Sequence, residues 1–315
     1  MFWLAVLRQT ELDITFNSSS AIRTRIVDRP GEWMTPAELA RLVEDVRAVA
    51  RASLPDGDLS YGILGGDPER LSASVITLLY DRKSGRPIAF NALAWLPASL
   101  RGQQLNVLHL GLVMIDPNQR SRGLSWILYG LTCFALFLRQ GMRPLWISSV
   151  TQVPSVYGIV VENFSGVYPG RDDARATFEH TLLARQIMAN HRKAFGVGED
   201  AEFDEARFVI TNAYTGGSDD LKKRFEDAPK HRDEAFNLRM QRELNYDRGD
   251  DFLQIGQVNM KAAQAYAWDI VPKASLPGLA VGGILLMLQA AILPTLHWFN
   301  SKKPWGSLRP SGSDA

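Results

Sequence analysis

The stretch from Leu105 to about Gln140 constrains the fold more than any other part of the chain. It passes from a strand pattern through a basic, glycine-containing turn into a long apolar helix. The strand runs from Leu105 to Ile115, the polar turn from Asp116 to Gly123, and the helix follows at once. The first N–H groups of a helix lack intrahelical partners and the helix dipole is positive there, so a turn in this position suits an anion. Gly123 lets the backbone approach closely, and Arg120 and Arg122 add charge. The neighbouring segments alternate between strand and helix. Ile22 to Val27 reads as a strand, and Thr35-Pro36-Ala37-Glu38 is a capping box that opens a helix to about Ala52. Ser74 to Tyr80 and Ile88 to Trp95 form a hairpin whose turn contains Ser84-Gly85. Leu145 to Ser149 is a further strand, and Pro154 starts a short helix ending near Phe164. The fold class predicted is α/β.

In residues and in the order of elements, this region resembles the GNAT acyltransferases, over about residues 22 to 170. The resemblance is carried by a strand ending in Ile115-Asp116-Pro117, then Arg120-Ser121-Arg122-Gly123-Leu124-Ser125, then a long apolar helix. It matches the family's pyrophosphate-binding pattern Arg/Gln-x-x-Gly-x-Gly/Ala, with Ser125 standing where Gly or Ala is usual. The resemblance implies a GNAT-like mixed, largely antiparallel sheet flanked by helices. It implies that Ile115, Gln119, Arg120, Ser121, Arg122, Gly123, Leu124 and Ser125 bind coenzyme A, and that splayed strands beside them admit the pantetheine arm. Acyl-CoA would then be a cosubstrate, with no tightly bound cofactor. The Gly-x-Gly-x-x-Gly and Gly-Lys-Ser/Thr phosphate-binding patterns are absent from this loop.

An amine attacking a thioester must lose a proton, so a positioned group that titrates near neutrality would serve as base. His109 is the candidate. By strict alternation it shares a face with Gly111, Val113 and Ile115, six residues before Ile115, where some GNAT enzymes carry a catalytic glutamate. A structural histidine bonded within the core is the alternative. Tyr157 lies near where the family often places a tyrosine that protonates the departing thiolate; the alternative is a core tyrosine whose hydroxyl meets a backbone partner. His180 and His191 are eleven apart and lack the spacing of a helical zinc pair, so no metal site is expected. Ser148, Ser149 and Ser165 sit in no nucleophile elbow. Glu162 and Asn163 either face an acceptor or belong to an exposed helix surface.

A net charge of +1 with basic residues spread along the chain provides no concentrated phosphate-neutralising surface, which argues against nucleic acid as a partner. The one cysteine, Cys133, lies in an apolar run and reads as a small buried hydrophobe. Met1 to Leu7 lacks a basic leader and is read as a strand rather than a signal peptide. Near the other end no charge occurs between Lys273 and Lys302, a length sufficient to span a bilayer, and aromatic and basic residues flank the run. Pro277, Pro294 and Gln289 leave an in-plane or re-entrant anchor open beside a single span. The expected organisation is therefore an acyltransferase domain over 1–215, a charged helical extension or lid over 216–272, a membrane-associated helix over 273–301 and a polar tail over 302–315.

The function expected is membrane-associated N-acyl transfer, of a fatty acyl group above all, from acyl-CoA, or from an acyl carrier protein, to a primary amine of a lipidic or small-molecule acceptor, with the catalytic domain on the cytoplasmic side. A membrane location points to a lipidic acceptor such as an amino lipid or sphingoid base. Short-chain acetylation of a small amine or protein, and a non-catalytic acyl-CoA-binding or scaffold role, are the competing readings.

Overall fold

Residues with alternating or doubly buried apolar patterns gather into a single sheet. The computed structural model describes residues 6, 9–54, 62–119, 123, 124, 126–216, 221–270, 281, 284, 288 and 292. Among these, the strands are β1 (Asp13–Asn17), β2 (Ile22–Asp28), β3 (Ser74–Asp81), β4 (Pro87–Leu100), β5 (Gln103–Ile115), β6 (Leu145–Thr151), β7 (Ser165–Tyr168), β8 (Glu202–Asp204), β9 (Val209–Thr211) and β10 (Asp251–Val258). Across the sheet they run β1-β2-β3-β4-β5-β6-β10-β9-β8, with β7 also beside β10. The pairings are antiparallel except that of β5 with β6, which is parallel. The expected mixed, largely antiparallel sheet flanked by helices is what the chain forms.

Helices cover both faces, which is why β3 is apolar nearly throughout rather than alternating. On one face α1 (Pro36–Ser53) sets Leu42, Val43, Val46 and Val49 against Ile76, Leu78 and Phe90. Its capping box is present, with the Thr35 N–H donating to the Glu38 carboxylate at 2.8 Å, a motif worth about 1 kcal/mol. On the same face the helix Phe178–Asn190 packs on Leu96, Val107 and Leu253. On the opposite face a wide π-helical turn over Trp126–Leu131 leads into α2 (Thr132–Arg139). The fully buried Asn91 amide donates to the Leu128 carbonyl, and the Thr77 and Thr132 hydroxyls meet at 2.6 Å, so the sheet holds this turn by polar contacts.

Downstream come α3 (Pro154–Asn163), α4 (Phe178–Asn190), α5 (Glu234–Glu243) and α6 (Met260–Ala265). The helix expected over 171–195 is α4, shorter at both ends and followed by a 3-10 turn, Arg192–Phe195. The stretch expected to be a charged helical extension contains α5 but also β10, a strand of the sheet lying between β6 and β9. Both faces of β10 are buried, so its sequence shows no polar alternation, and dense charge just before it conceals the strand.

Of the strand expected at the N-terminus only Val6 is among the described residues, and it is helical and buried. The membrane-anchoring segment lies almost wholly outside them. Val281, Ile284, Leu288 and Ile292, which are described, take helical backbone, are spaced to share one face, and are each more than half exposed. Among the described residues no helix is long and apolar enough to cross a membrane.

One irregularity shapes the site. Ala92 pairs with Leu112 but Ala94 with His109, so two residues of β5, Leu110 and Gly111, oppose Leu93 alone. This bulge reverses the side-chain parity along β5. His109 therefore shares its face with Leu112 and Met114, while Val113 and Ile115 pack on the other; the expectation from strict alternation is corrected accordingly. A Cβ on Gly111 would lie 2.4 Å from the Ala92 carbonyl oxygen, so the bulge requires glycine. Gly111→Ala is expected to destabilise the protein by about 2 kcal/mol, read as a lower denaturant midpoint at unchanged slope. An unaltered midpoint would contradict this account of the bulge.

Candidate active site

The parallel strands β5 and β6 are in register at Leu108 with Ile147 and at His109 with Ser148, and then part. β5 is bent by its bulge, whereas β6 stays paired along its length with β10. Their separation opens a cavity of about 520 Å³ lined by positions 110–113 of β5 and 149–152 of β6. It reaches both faces of the sheet. His109 and Phe195 line it on the side of α4, and Tyr129 on the side of the π-helical turn.

His109 stands where the strands diverge. Its Nδ1 lies 3.1 Å from the fully buried Ser148 hydroxyl, and its ring stacks on Phe195 at 4.8 Å between centroids. Burial pushes its pKa down to about 4, so the imidazole is neutral at physiological pH. That makes it a weak base, though one needing no prior deprotonation.

The cavity contains a second group that the sequence did not single out. Asp251, at the start of β10, is buried and accepts a hydrogen bond from the Tyr214 hydroxyl at 3.1 Å. Burial pushes its pKa up to about 8, opposed by the Tyr214 bond and reinforced by neighbouring Asp250. A carboxyl with that value is poised between charged and neutral near physiological pH. The one visible signal was a carboxylate directly before the apolar run Phe252-Leu253, which could not by itself place Asp251 at a site beside β5. Lys223 and Leu221 also line the cavity, so the charged segment after Gly216 reaches over the site. Gln152 faces it, its side-chain amide lying 2.9 Å from the Lys223 carbonyl oxygen and 3.0 Å from the Lys223 backbone nitrogen.

Tyr157 is elsewhere. Its hydroxyl donates to the Gly170 carbonyl at 2.7 Å, and its ring packs against Phe236 and Phe252 in a separate apolar cluster. It is not among the residues lining the cavity, and the structure does not bring it together with His109. Burial raises the phenol's pKa. His180 caps α4, accepting from the Thr177 N–H at 3.0 Å through Nδ1 and donating to the Gly166 carbonyl at 2.8 Å through Nε2. His191 lies at the cavity wall and donates to the Pro97 carbonyl at 2.7 Å.

Of the coenzyme-binding residues expected, Ile115 ends β5 and Gln119 closes a 3-10 turn, Pro117–Gln119. Buried Asp116 fixes that turn, accepting from the Asn118 N–H at 2.9 Å and from Arg86 at 2.6 Å. Gly123 takes a left-handed φ of 65°, and Leu124 is buried against the sheet. Arg120, Ser121, Arg122 and Ser125 lie outside the described residues. The loop thus begins at the end of β5 and returns at Leu124, directly before the π-helical turn whose Tyr129 lines the cavity.

No family model matches the chain, and no curated protein matches it in sequence. Among solved structures, it is similar to a ribosomal-protein-S5-alanine acetyltransferase from Vibrio fischeri, at 10% identity over 77% of this chain and 96% of that one, with a TM-score of 0.33. A GCN5-related glucosamine N-acetyltransferase region of a fungal multi-domain enzyme matches at 13% identity over 41% of this chain and 14% of that one, with a TM-score of 0.23. A mutant AtaT toxin bound to the C-terminus of the antitoxin AtaR and acetyl-CoA matches at 10% identity over 44% and 76%, with a TM-score of 0.22. At such scores these likenesses carry no weight for function, which has to be read from the cavity.

Proposed function

We propose that the chain is an acyl-CoA-dependent N-acyltransferase of GNAT type, in which the opening between β5 and β6 receives the pantetheine arm and thioester. The observation that carries this reading is the two-residue contact of β5 with β6, followed by a cavity reaching both faces of the sheet beside a strand–loop–helix unit. Arg120 to Ser125 hold the diphosphate in this reading, with Ile115 and Gln119 at the loop's entry.

The acceptor amine enters at the end of the cavity lined by Asp251, Tyr214 and Lys223. Its nitrogen attacks the thioester carbonyl, a C–N bond forms, the C–S bond breaks and coenzyme A leaves as thiolate. Asp251 takes the proton from the amine, and neutral His109 orients the nucleophile through Nε2. Tyr157, its hydroxyl committed to Gly170, is given no part in the step. The thiolate takes its proton from solvent.

Amine-dependent release of coenzyme A tests the reading. Wild type should release it only when an amine is present, and His109→Ala, which removes the group that orients the nucleophile, should lower the rate by about 100-fold. Equal, amine-independent rates would reject the assignment.

We extend the reading to a membrane location with the catalytic part on the cytoplasmic side and a lipidic amine as acceptor. The uncharged run between Lys273 and Lys302, and the exposed stripe Val281, Ile284, Leu288 and Ile292, support this. An enzyme held at an interface gains effective concentration toward substrates residing there. A chain ending at Val271 should then fractionate as soluble and the full chain with membranes. Equal solubility of the two without detergent would refute the anchor.

A further inference from the structure

A second cavity, of about 200 Å³, adjoins the first on the side of the π-helical turn. Tyr129 lines both. The lining of the second is apolar, from Cys133 and Phe134 of α2, Phe164, Val258 and Tyr266. Among the described residues its one side-chain amide, Asn163, donates to the Ile159 carbonyl at 2.7 Å within its own helix, and the other polar side-chain atoms on the lining are the Tyr129 and Tyr266 hydroxyls and the Cys133 thiol. Gly130 is required at the wall, because a Cβ there would lie 2.1 Å from the Tyr266 ring. A π-turn, uncommon and often found at functional sites, is what carries Tyr129 and Gly130.

An apolar void beside a thioester cleft fits a hydrocarbon chain better than any polar ligand. We propose that the second cavity receives the distal hydrocarbon end of the donor's acyl chain, with the Tyr129 ring as the partition between thioester cleft and tail pocket. The inference rests on the acyl-CoA reading and deepens it, selecting donors longer than acetyl. Tyr129 must swing aside for a long chain to enter, whereas a short acyl group stops in the first cavity.

Calorimetric titration of the full chain with coenzyme A, butyryl-CoA and dodecanoyl-CoA tests this. Two variants fill the second cavity without touching the first, Cys133→Phe and Ala263→Leu. Wild type should bind dodecanoyl-CoA at least about tenfold more tightly than butyryl-CoA, from the burial of several methylene groups. Both filled variants should lose that increment while holding coenzyme A with wild-type affinity, which also reports that they are folded. Tyr129→Ala should keep the increment. A chain-length increment absent from wild type, or unchanged in whichever filled variant retains affinity for coenzyme A, would overturn the tail pocket alone. Failure of wild type to bind coenzyme A at all would overturn the acyl-CoA reading and the pocket with it.

Discussion

Asp251→Asn should lower kcat/KM at pH 8 by about 100-fold and remove its dependence on pH between about 7 and 9, the range expected of a general base with such a pKa. In the wild type, burial holds the carboxyl protonated until about pH 8, so activity should climb through that value as the base is uncovered. His109, with its pKa pushed down to about 4, would as sole base give a profile already flat above about pH 5. The shape of the profile therefore decides between the two. Stability should move in the opposite direction. A carboxyl whose folded pKa lies above its ordinary value of 3.8 favours folding at pH below that value, and this contribution is lost as pH rises through about 8. Asparagine is neutral throughout, so the variant's melting temperature should exceed that of wild type by a margin that widens from about pH 4 to pH 8 and then levels. A pH-independent difference between the two proteins would show that Asp251 is not held protonated by the fold.

Arg120→Glu combined with Arg122→Glu should weaken coenzyme A binding by about 100-fold or more, since each charge-assisted bond to phosphate is worth about 1.5–3 kcal/mol. The loss should shrink as salt is added, because screening reduces both the attraction in wild type and the repulsion in the variant. Calorimetry at two ionic strengths checks both statements. Unchanged affinity would mean that the diphosphate is held elsewhere.

Much of the sheet was legible from sequence because its cause is local. The β3–β4 hairpin, the capping box of α1, the run of β5 into its loop, and β6 leading into α3 all show periodicity or cap chemistry within a few residues. β10 was not legible, since a strand buried on both faces has no alternation to display. The bulge at Leu110 and Gly111 was hidden for a different reason. A glycine in a strand pattern signals one, but its effect on the facing of His109 depends on the register with β4.

The site divides along the same line. His109 was visible as a titratable group in an apolar strand, and the loop was visible by composition. Asp251 arrives from far along the chain through β10, and only sheet order brings it to the opening beside β5. The Tyr157 hydroxyl meets the Gly170 carbonyl, a partner set by the packing of α3 that helix position alone does not reveal.

Hydrogen exchange with and without coenzyme A tests the central claim most directly. Binding as described should slow exchange of the backbone amides at 120–126, where the loop meets the diphosphate, and at 110–113 and 149–152, which flank the parted strands. Protection confined to other segments, with these three unchanged, would contradict the account.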